Sequence, residues 1–233
     1  MAHVLYARRH WLMGAAGFSL MAATPGLAAP PSPTGKKSAE SVPVTATEDL
    51  MREHGVVERL LLIYDTGVRR LGQGEDLDPT ILTQAAETMR DFVHDYHEKN
   101  EEEQVFPRFK TAGRMVELVT ILQAQHGACR KLTERVLDLA PKSGSKDQRD
   151  QMIQAMQATI TMYRPHAARE DTDVFPTLRS LITPNEFEQM GEALEKSESE
   201  KLGADGFEKV AKKIEALEKR LGINDLSQFT PKS

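Results

Sequence analysis

The sequence has very little cysteine: Cys129 is the only one in 233 residues. A single thiol excludes a disulfide within the chain and any zinc or iron–sulfur site built from several cysteines. A basic stripe interleaved with aromatic residues is also missing, and the formal net charge is −5, so nucleic acid is not an expected partner. No segment alternates apolar and polar residues for long, which predicts an all-α fold.

Several enzyme signatures are absent as well. The chain has no glycine-rich phosphate-binding loop. It has no His-Glu-x-x-His zinc protease motif, because His97-Glu98 is followed by Glu101 at the position of the second histidine. The ferritin-like pair, a glutamate three residues before a histidine, does not occur either. These absences remove the metal and nucleotide sites that are simplest to recognise from sequence.

What the chain does contain is a histidine pattern that occurs twice. In each copy a His-Gly pair comes first, followed by a histidine with a glutamate four residues later, and then by Phe-Pro. The two copies are His54-Gly55, His97, Glu101, Phe106-Pro107 and His126-Gly127, His166, Glu170, Phe175-Pro176. A histidine and a glutamate four residues apart lie on one face of a helix, so each pair can direct a nitrogen and an oxygen to one point.

Apolar residues at helical spacing predict four long helices, each carrying one or more of these residues. The four segments span about 47–71, 79–107, 113–140 and 147–176. Pro107 and Pro176 are expected to end the second and fourth helices, and Pro165 is expected to kink the fourth or to remove one of its hydrogen bonds. Thr45 and Glu48 have capping-box spacing at the start of the first helix, and capping residues Thr183 and Asp205 predict two further helices.

The domain organisation follows from these segments. The connections between the long helices are short, which predicts an up-down-up-down four-helix bundle with two additional C-terminal helices. The predicted order along the chain is a signal peptide over 1–29, a disordered linker over 30–44, the bundle over 45–182, and a C-terminal helical extension packed on it over 183–233.

Bundles of this type build metal sites from side chains that point inward. The predicted metal ligands are His54, His97, Glu101, His126, His166 and Glu170. Six ligands are too many for one zinc ion, which usually takes four. The set suits two ions, with a glutamate from each copy as a bridge, and mixed imidazole and carboxylate ligands favour iron or manganese over zinc.

These residues resemble the hemerythrin-like, or HHE cation-binding, proteins. The resemblance covers roughly residues 47–176, where His54, His97-x-x-x-Glu101, His126 and His166-x-x-x-Glu170 match the family's motif. It implies a cofactor of two Fe ions in a non-haem centre bridged by two carboxylates. It also implies a small diatomic ligand such as dioxygen.

The sequence departs from the oxygen-carrying members of that family in two places. They have a second histidine on the third helix, where this chain has Arg130. They use an aspartate in the position of Asp171, whereas Glu170 fits the internal repeat and is the ligand we favour. His94 or Glu98 could supply the missing ligand, and for His94 a role in orienting a ligand is an equal alternative.

Neighbouring residues have plainer interpretations. Cys129 is expected to be a small buried side chain. Arg130 is expected to be solvated or paired with a carboxylate. Glu102 and Glu103 are expected to be solvated, because only Glu101 in this acidic run has the phase of the inward face.

The first 29 residues resemble an export signal. Arg8-Arg9 precede an apolar run that is too short for an ordinary membrane span, and the small residues Gly26 and Ala28 suit a cleavage site. The pair of arginines favours a twin-arginine signal over a general secretory leader. A periplasmic or otherwise exported protein with no membrane attachment after cleavage is therefore expected.

Together these patterns predict an exported di-iron protein that binds or senses dioxygen or a related diatomic molecule. No second substrate site is visible in the sequence. A di-iron redox enzyme acting on peroxide or nitric oxide, and an iron-handling protein, are the alternatives.

Overall fold

The computed structural model describes residues 44–142 and 144–231. The predicted export signal, and the predicted linker except its last residue, lie outside the described residues. Every regular element in the described part of the chain is helical, which confirms the all-α prediction. No helix of this part is both long and apolar enough to cross a membrane.

The bundle helices are long, and two of them contain wider π-helical turns. Helix α1 is Ala46–Gly72. Helix α2 runs without a break through Pro79–Thr88, a π-helical stretch Met89–His97, Glu98–Asn100, a second π-helical stretch Glu101–Val105, and Phe106–Ala112. Helix α3 is Val116–Leu139, and α4 consists of Lys146–Arg169, the π-helical stretch Glu170–Val174 and Phe175–Leu181. Two C-terminal helices follow, α5 at Pro184–Leu202 and α6 at Gly206–Leu221.

Side-chain caps set most of the helix starts. Thr45 and Thr183 each form a capping box with the glutamate three residues on, as predicted, and Ser145 forms one with Gln148. The predicted cap at Asp205 is wrong. Its backbone is left-handed with φ 56°, its side chain makes no cap, and Glu198 instead accepts the hydrogen bond of the Phe207 N–H at 2.9 Å.

The prediction that Pro107 and Pro176 end their helices is also wrong, because both helices continue beyond them, to Ala112 and Leu181. A proline ring normally clashes with the carbonyl four residues earlier. Here that earlier residue lies inside a π-helical turn that comes immediately before the Phe-Pro pair in each helix. The wider turn gives the ring space. Pro165 lies inside α4, and the α-helix around it is continuous to Arg169.

The helices form a bundle in which α1 and α3 each pack against both α2 and α4. Its interior contains two apolar clusters. One includes Leu60, Tyr64, Phe92, Val136 and Met156 and extends to Ile214 and Leu217 of α6. The other includes Leu50, Phe106, Leu122, Phe175 and Leu178, together with Met190 and Leu194 of α5. Both C-terminal helices therefore contribute to the same interior as the first four.

The last helix is also held to α1 by polar contacts. The guanidinium of Arg59 donates two hydrogen bonds to the carboxylate of Glu218, at 2.8 and 2.6 Å. Arg70 donates to the backbone oxygen of Leu221 at 2.7 Å, next to Gly222, whose φ of 68° ends α6.

Candidate metal centre

The six predicted ligands lie together in a buried polar layer between the two apolar clusters. On each of the four long helices, the predicted histidine ligand lies near the boundary between the residues of one apolar cluster and those of the other. On α1, for example, His54 lies between Leu50 of one cluster and Val57 of the other. All six residues have no more than 3% of their surface exposed. The structure therefore brings the six predicted residues together in one buried layer.

The ligand atoms form two overlapping groups. Within each group the atoms lie within 4.8 Å of one another: one group contains His54, His97 and Glu101, and the other contains Glu101, His126, His166 and Glu170. Glu101 is common to both, at 3.6 Å from His97 Nε2 and 3.5 Å from His126 Nε2. Glu170 also reaches both, with Oε2 at 3.3 Å from His54 Nε2 and 3.0 Å from His166 Nε2. Each carboxylate thus lies close to one histidine of each group.

All four imidazoles are oriented in the same way. The Nδ1 atom of each ring faces an oxygen at the edge of the site, and the Nε2 atom faces inward. The Nδ1 contacts are His54 to Asp171 at 2.8 Å, His97 to Glu53 at 2.8 Å, His126 to Glu102 at 2.9 Å and His166 to Gln125 at 2.9 Å. Oxygen partners of this kind fix the ring orientation and tautomer of metal-binding histidines.

The tautomer has a direct consequence for the centre. An oxygen acceptor at Nδ1 requires the N–H there, which leaves a lone pair on Nε2 of each neutral ring. The Nε2 atoms of His126 and His166 are only 3.1 Å apart, and two lone pairs at that distance need a proton or a cation between them. Together with the two carboxylates, the interior of the site presents acceptor atoms that a cation would satisfy.

The buried atoms at the centre have few hydrogen-bond partners. His54 Nε2, His97 Nε2 and all four carboxylate oxygens of Glu101 and Glu170 have none, although they are shielded from water. In the described part of the chain, every basic group at ion-pair distance from these two glutamates is an imidazole. Burying such groups without compensation costs several kcal/mol per charge. The residues therefore fit bound metal cations.

The pKa values of the metal-free side chains are shifted because buried carboxylates and imidazoles lie close together. Burial and the nearby charge of Glu170 raise the pKa of Glu101 well above its usual value. Burial lowers the pKa of His54, but the hydrogen bond to Asp171 and the adjacent carboxylate of Glu170 outweigh it and raise the pKa of this ring to about 9. Burial, followed by the charge of His54, lowers the pKa of His97 well below its usual value. Protons thus replace part of the missing positive charge.

The Phe-Pro pairs of the repeat close the site on one side. The ring of Phe106 stacks on His126 with 5.5 Å between centroids, and Phe175 stacks on His54 at 5.6 Å. Each phenylalanine therefore packs on the histidine of the other copy's His-Gly pair. Both rings are fully buried, so they exclude water from the ligand cluster.

The outer oxygen partners of the imidazoles were not predicted from the sequence. Glu102 was expected to be solvated, which is wrong: it accepts from His126, and its side chain is 21% exposed. Glu53 and Gln125 were not identified at all. A signal for them exists in the repeat, because Glu53 and Gln125 each precede a His-Gly pair, while Glu102 and Asp171 each follow a repeated glutamate.

The two tentative ligands, His94 and Glu98, lie together in a third group with Cys129. Arg130 is paired with carboxylates, as one of its two interpretations predicted, at 3.2 Å from Glu98 and 2.8 Å from Glu102. Cys129 is completely buried, as expected.

An open pocket of about 330 Å³ lies beside the site on the surface of α1 and α4. His54 and Asp171 form part of its lining, as do Gly55 and the surface ion pair of Arg164 and Glu58, whose atoms are 3.4 Å apart. The Asp171 side chain is 36% exposed, while the His54 side chain behind it is 4% exposed. His54 therefore connects the ligand cluster to this pocket on the surface of α1 and α4.

Comparison with known proteins agrees with this arrangement. The family description "Hemerythrin HHE cation binding domain" matches residues 45–178, which is more than half of the chain. The chain therefore belongs to the hemerythrin HHE cation-binding family. The family match and the buried histidine and glutamate clusters together indicate a metal-binding domain.

Relatives of similar length occur in mycobacteria. One is "Uncharacterized protein Rv1995" of Mycobacterium tuberculosis (strain H37Rv), 46% identical over 235 residues, which cover 96% of this chain and 91% of the relative. "Uncharacterized protein Mb2018" of Mycobacterium bovis has the same identity and coverage. No solved structure matches the chain.

Proposed function

We propose that this chain is an exported non-haem di-iron protein that binds or senses dioxygen or a related small diatomic molecule. The observation that carries the proposal is the convergence of six buried residues whose inward-facing atoms are acceptors and whose imidazoles are all held from outside through Nδ1. Such a set is complementary to cations.

A pair of ions is favoured over a single one by the position of the carboxylates. Glu101 and Glu170 each approach histidines of both halves of the site, which is the placement required of bridging ligands. We assign His54 and His97 to one ion and His126 and His166 to the other. Four nitrogens and two carboxylates leave each ion short of six-coordination, so a position for an exogenous ligand remains.

Iron is the proposed metal because the family resemblance and the mixed nitrogen and oxygen donors agree on it. Manganese and zinc are the less favoured choices. When bound, two ferrous ions supply electrons and an open coordination position to a small ligand. The protein's part is to orient the imidazoles, to exclude water with Phe106 and Phe175, and to limit the ligand to a few atoms by burial of the site.

The clusters on either side of the site support an up-down-up-down arrangement of the four helices. On α1, the residues before His54 belong to the cluster of Leu50 and the residues after it belong to the cluster of Leu60. Helix α2 passes in the opposite sense, from Phe92 to Phe106. Helix α3 repeats the sense of α1, and α4 repeats the sense of α2. This alternation supports the proposal that successive helices run in opposite directions past the site.

Export is proposed from the first 29 residues alone. Twin-arginine transport carries folded proteins, which would allow the metal to be loaded before export. Replacing Arg8 and Arg9 by lysine should retain the protein inside the cell if the signal is of the twin-arginine type. Normal export of this variant would instead indicate a general secretory leader.

The function is tested by metal analysis of the purified protein, combined with optical spectra after anaerobic reduction and after exposure to dioxygen. A carrier or sensor should contain two irons per chain and pass reversibly between the two spectra without consuming reductant. Continuous reductant consumption with peroxide or nitric oxide would identify the redox enzyme instead. Iron that is released on reduction would favour an iron-handling role.

A further inference from the structure

A second cluster of metal-ligating side chains lies in the core between α2 and α3. His94 Nδ1, a Glu98 carboxylate oxygen and Cys129 Sγ lie within 4.8 Å of one another. Their exposed fractions are 4%, 0% and 0%. The three residues share no member with the six of the metal centre, so they need an explanation of their own.

The histidine of this cluster is oriented from outside in the same manner as the four central imidazoles. His94 Nε2 lies 2.8 Å from the hydroxyl of Thr133 on α3, which leaves Nδ1 facing Glu98 Oε2 at 3.0 Å. Neither Nδ1 nor either Glu98 oxygen makes a hydrogen bond of acceptable geometry. Three buried polar atoms of this cluster are thus without a hydrogen bond, although Arg130 lies at ion-pair distance from Glu98 Oε2.

We propose that His94, Glu98 and Cys129 form a separate site for one divalent cation of the zinc type. Zinc binds thiolates, imidazole nitrogens and carboxylate oxygens at bond lengths of about 2.0–2.3 Å, and it usually has four ligands. A thiolate also selects zinc or cobalt over the hard cations magnesium and calcium. The fourth position is left to water. The site would link α2 to α3, since the first two residues belong to α2 and Cys129 to α3.

The charges of this site balance when the ion is bound. The Cys129 thiol gives up its proton to solvent on coordination, so that one thiolate and one carboxylate neutralise the two positive charges of the ion. The competing interpretation is that Arg130, at 3.2 Å from Glu98 Oε2, already neutralises this carboxylate. Arg130 is shared with Glu102 at 2.8 Å and its side chain is 38% exposed, so it can keep the Glu102 contact when Glu98 turns to a metal ion.

The single cysteine makes the proposal simple to test. Metal-free protein is titrated with Co²⁺, and the near-ultraviolet charge-transfer band of a cobalt–thiolate bond is recorded. Cys129 is the only possible source of such a band, even while Co²⁺ fills the histidine and glutamate centre. We expect a saturable band whose final intensity corresponds to one cobalt–thiolate bond per chain and which disappears when Zn²⁺ is added. A folded wild-type protein that gives no thiolate band overturns the proposal, and so leaves Arg130 as the partner of Glu98.

Variants separate this site from the metal centre. Cys129→Ser should abolish the band, and His94→Gln should weaken Co²⁺ binding at this site at least tenfold. The matched control is His97→Gln, which removes a ligand of the centre and should leave the thiolate band unchanged. An equal band in His94→Gln and wild type overturns the assignment of His94. Failure of the di-iron proposal alone would leave these results as they are, because the thiolate signal does not depend on iron.

Discussion

Glu53 Oε2 and His97 Nδ1 lie 2.8 Å apart, although the two residues belong to different helices. The other oxygen of the same carboxylate accepts a hydrogen bond from the hydroxyl of Tyr96 at 2.7 Å. Both contacts are buried, so the carboxylate of α1 determines the direction in which the ring of α2 offers its Nε2. The orientation of the ligands is thus as much a property of their outer partners as of the ligands themselves.

The first prediction follows from this contact. Glu53→Gln keeps the shape of the side chain but removes the negative charge that makes the ring a stronger donor to metal. Loss of such an outer partner typically weakens metal binding by about 10–100-fold. The measurement is competition with a chelator of known affinity. Glu58→Gln is the control, because Glu58 also lies on α1 but its described ion pair is with the surface residue Arg164. Equal affinities for the two variants would contradict the orienting role of Glu53.

The second prediction concerns the two central glutamates. Glu101→Ala and Glu170→Ala should each prevent binding of a metal pair, because each carboxylate approaches histidines of both halves. Metal per chain is measured after loading and desalting. Glu103→Ala is the matched control, since this glutamate lies in the same acidic run but is paired with Lys99 at the surface. Two metal ions retained by both central variants would show that the carboxylates do not bridge.

How much of this site was readable from the sequence depends on the kind of residue. The six ligands follow from the repeat, because a histidine and a glutamate four residues apart share a helix face whatever the details of packing. The outer partners Glu53 and Gln125 could not be derived from helical phase. Their role depends on which neighbouring helix faces them, and that is decided by packing of the whole bundle.

The helix ends also differ in how far local sequence determines them. The caps at Thr45 and Thr183 are local and were predicted correctly. The continuation of α2 past Pro107 and of α4 past Pro176 was not predicted, because a π-helical turn has no residue signature comparable to a cap. The grouping of His94 and Glu98 with Cys129 likewise required the contact between α2 and α3 to be known.

The third prediction is the pH dependence of the metal-free protein. The pKa of His54 is about 9 in the folded state against an ordinary value of 6.5. The folded protein therefore keeps a proton that the unfolded chain releases, so the stabilisation is complete below pH 6.5 and is lost as the pH rises through about 9. For one group the loss is on the order of 3 kcal/mol. Chemical unfolding of the metal-free protein at a series of pH values measures it.

The control for this pH series is His54→Gln, which cannot take up the proton. Its free energy of unfolding should depend less on pH between about 6.5 and 9 than that of the wild type. A wild-type protein whose stability rises over this interval would show that His54 is neutral in the folded state.

The fourth prediction concerns the glycines of the two His-Gly pairs. A methyl group added at Gly55 or Gly127 would meet nothing within 4 Å, and both residues lie inside helices. Gly55→Ala and Gly127→Ala should therefore each stabilise the fold by up to about 1 kcal/mol. Gly206→Ala is the contrast, because its added carbon would clash with Leu202 Cβ. Thermal unfolding measures all three. Destabilisation by the first two would indicate that the glycines are needed for a close contact.

The most direct test of the metal pair is a crystal structure of the iron-loaded protein with anomalous diffraction data collected at the iron edge. The account predicts two anomalous peaks between Glu101 and Glu170, one bonded to Nε2 of His54 and His97 and the other bonded to Nε2 of His126 and His166. A single peak in this layer, or iron bonded through the Nδ1 atoms in place of their outer oxygen partners, would contradict it.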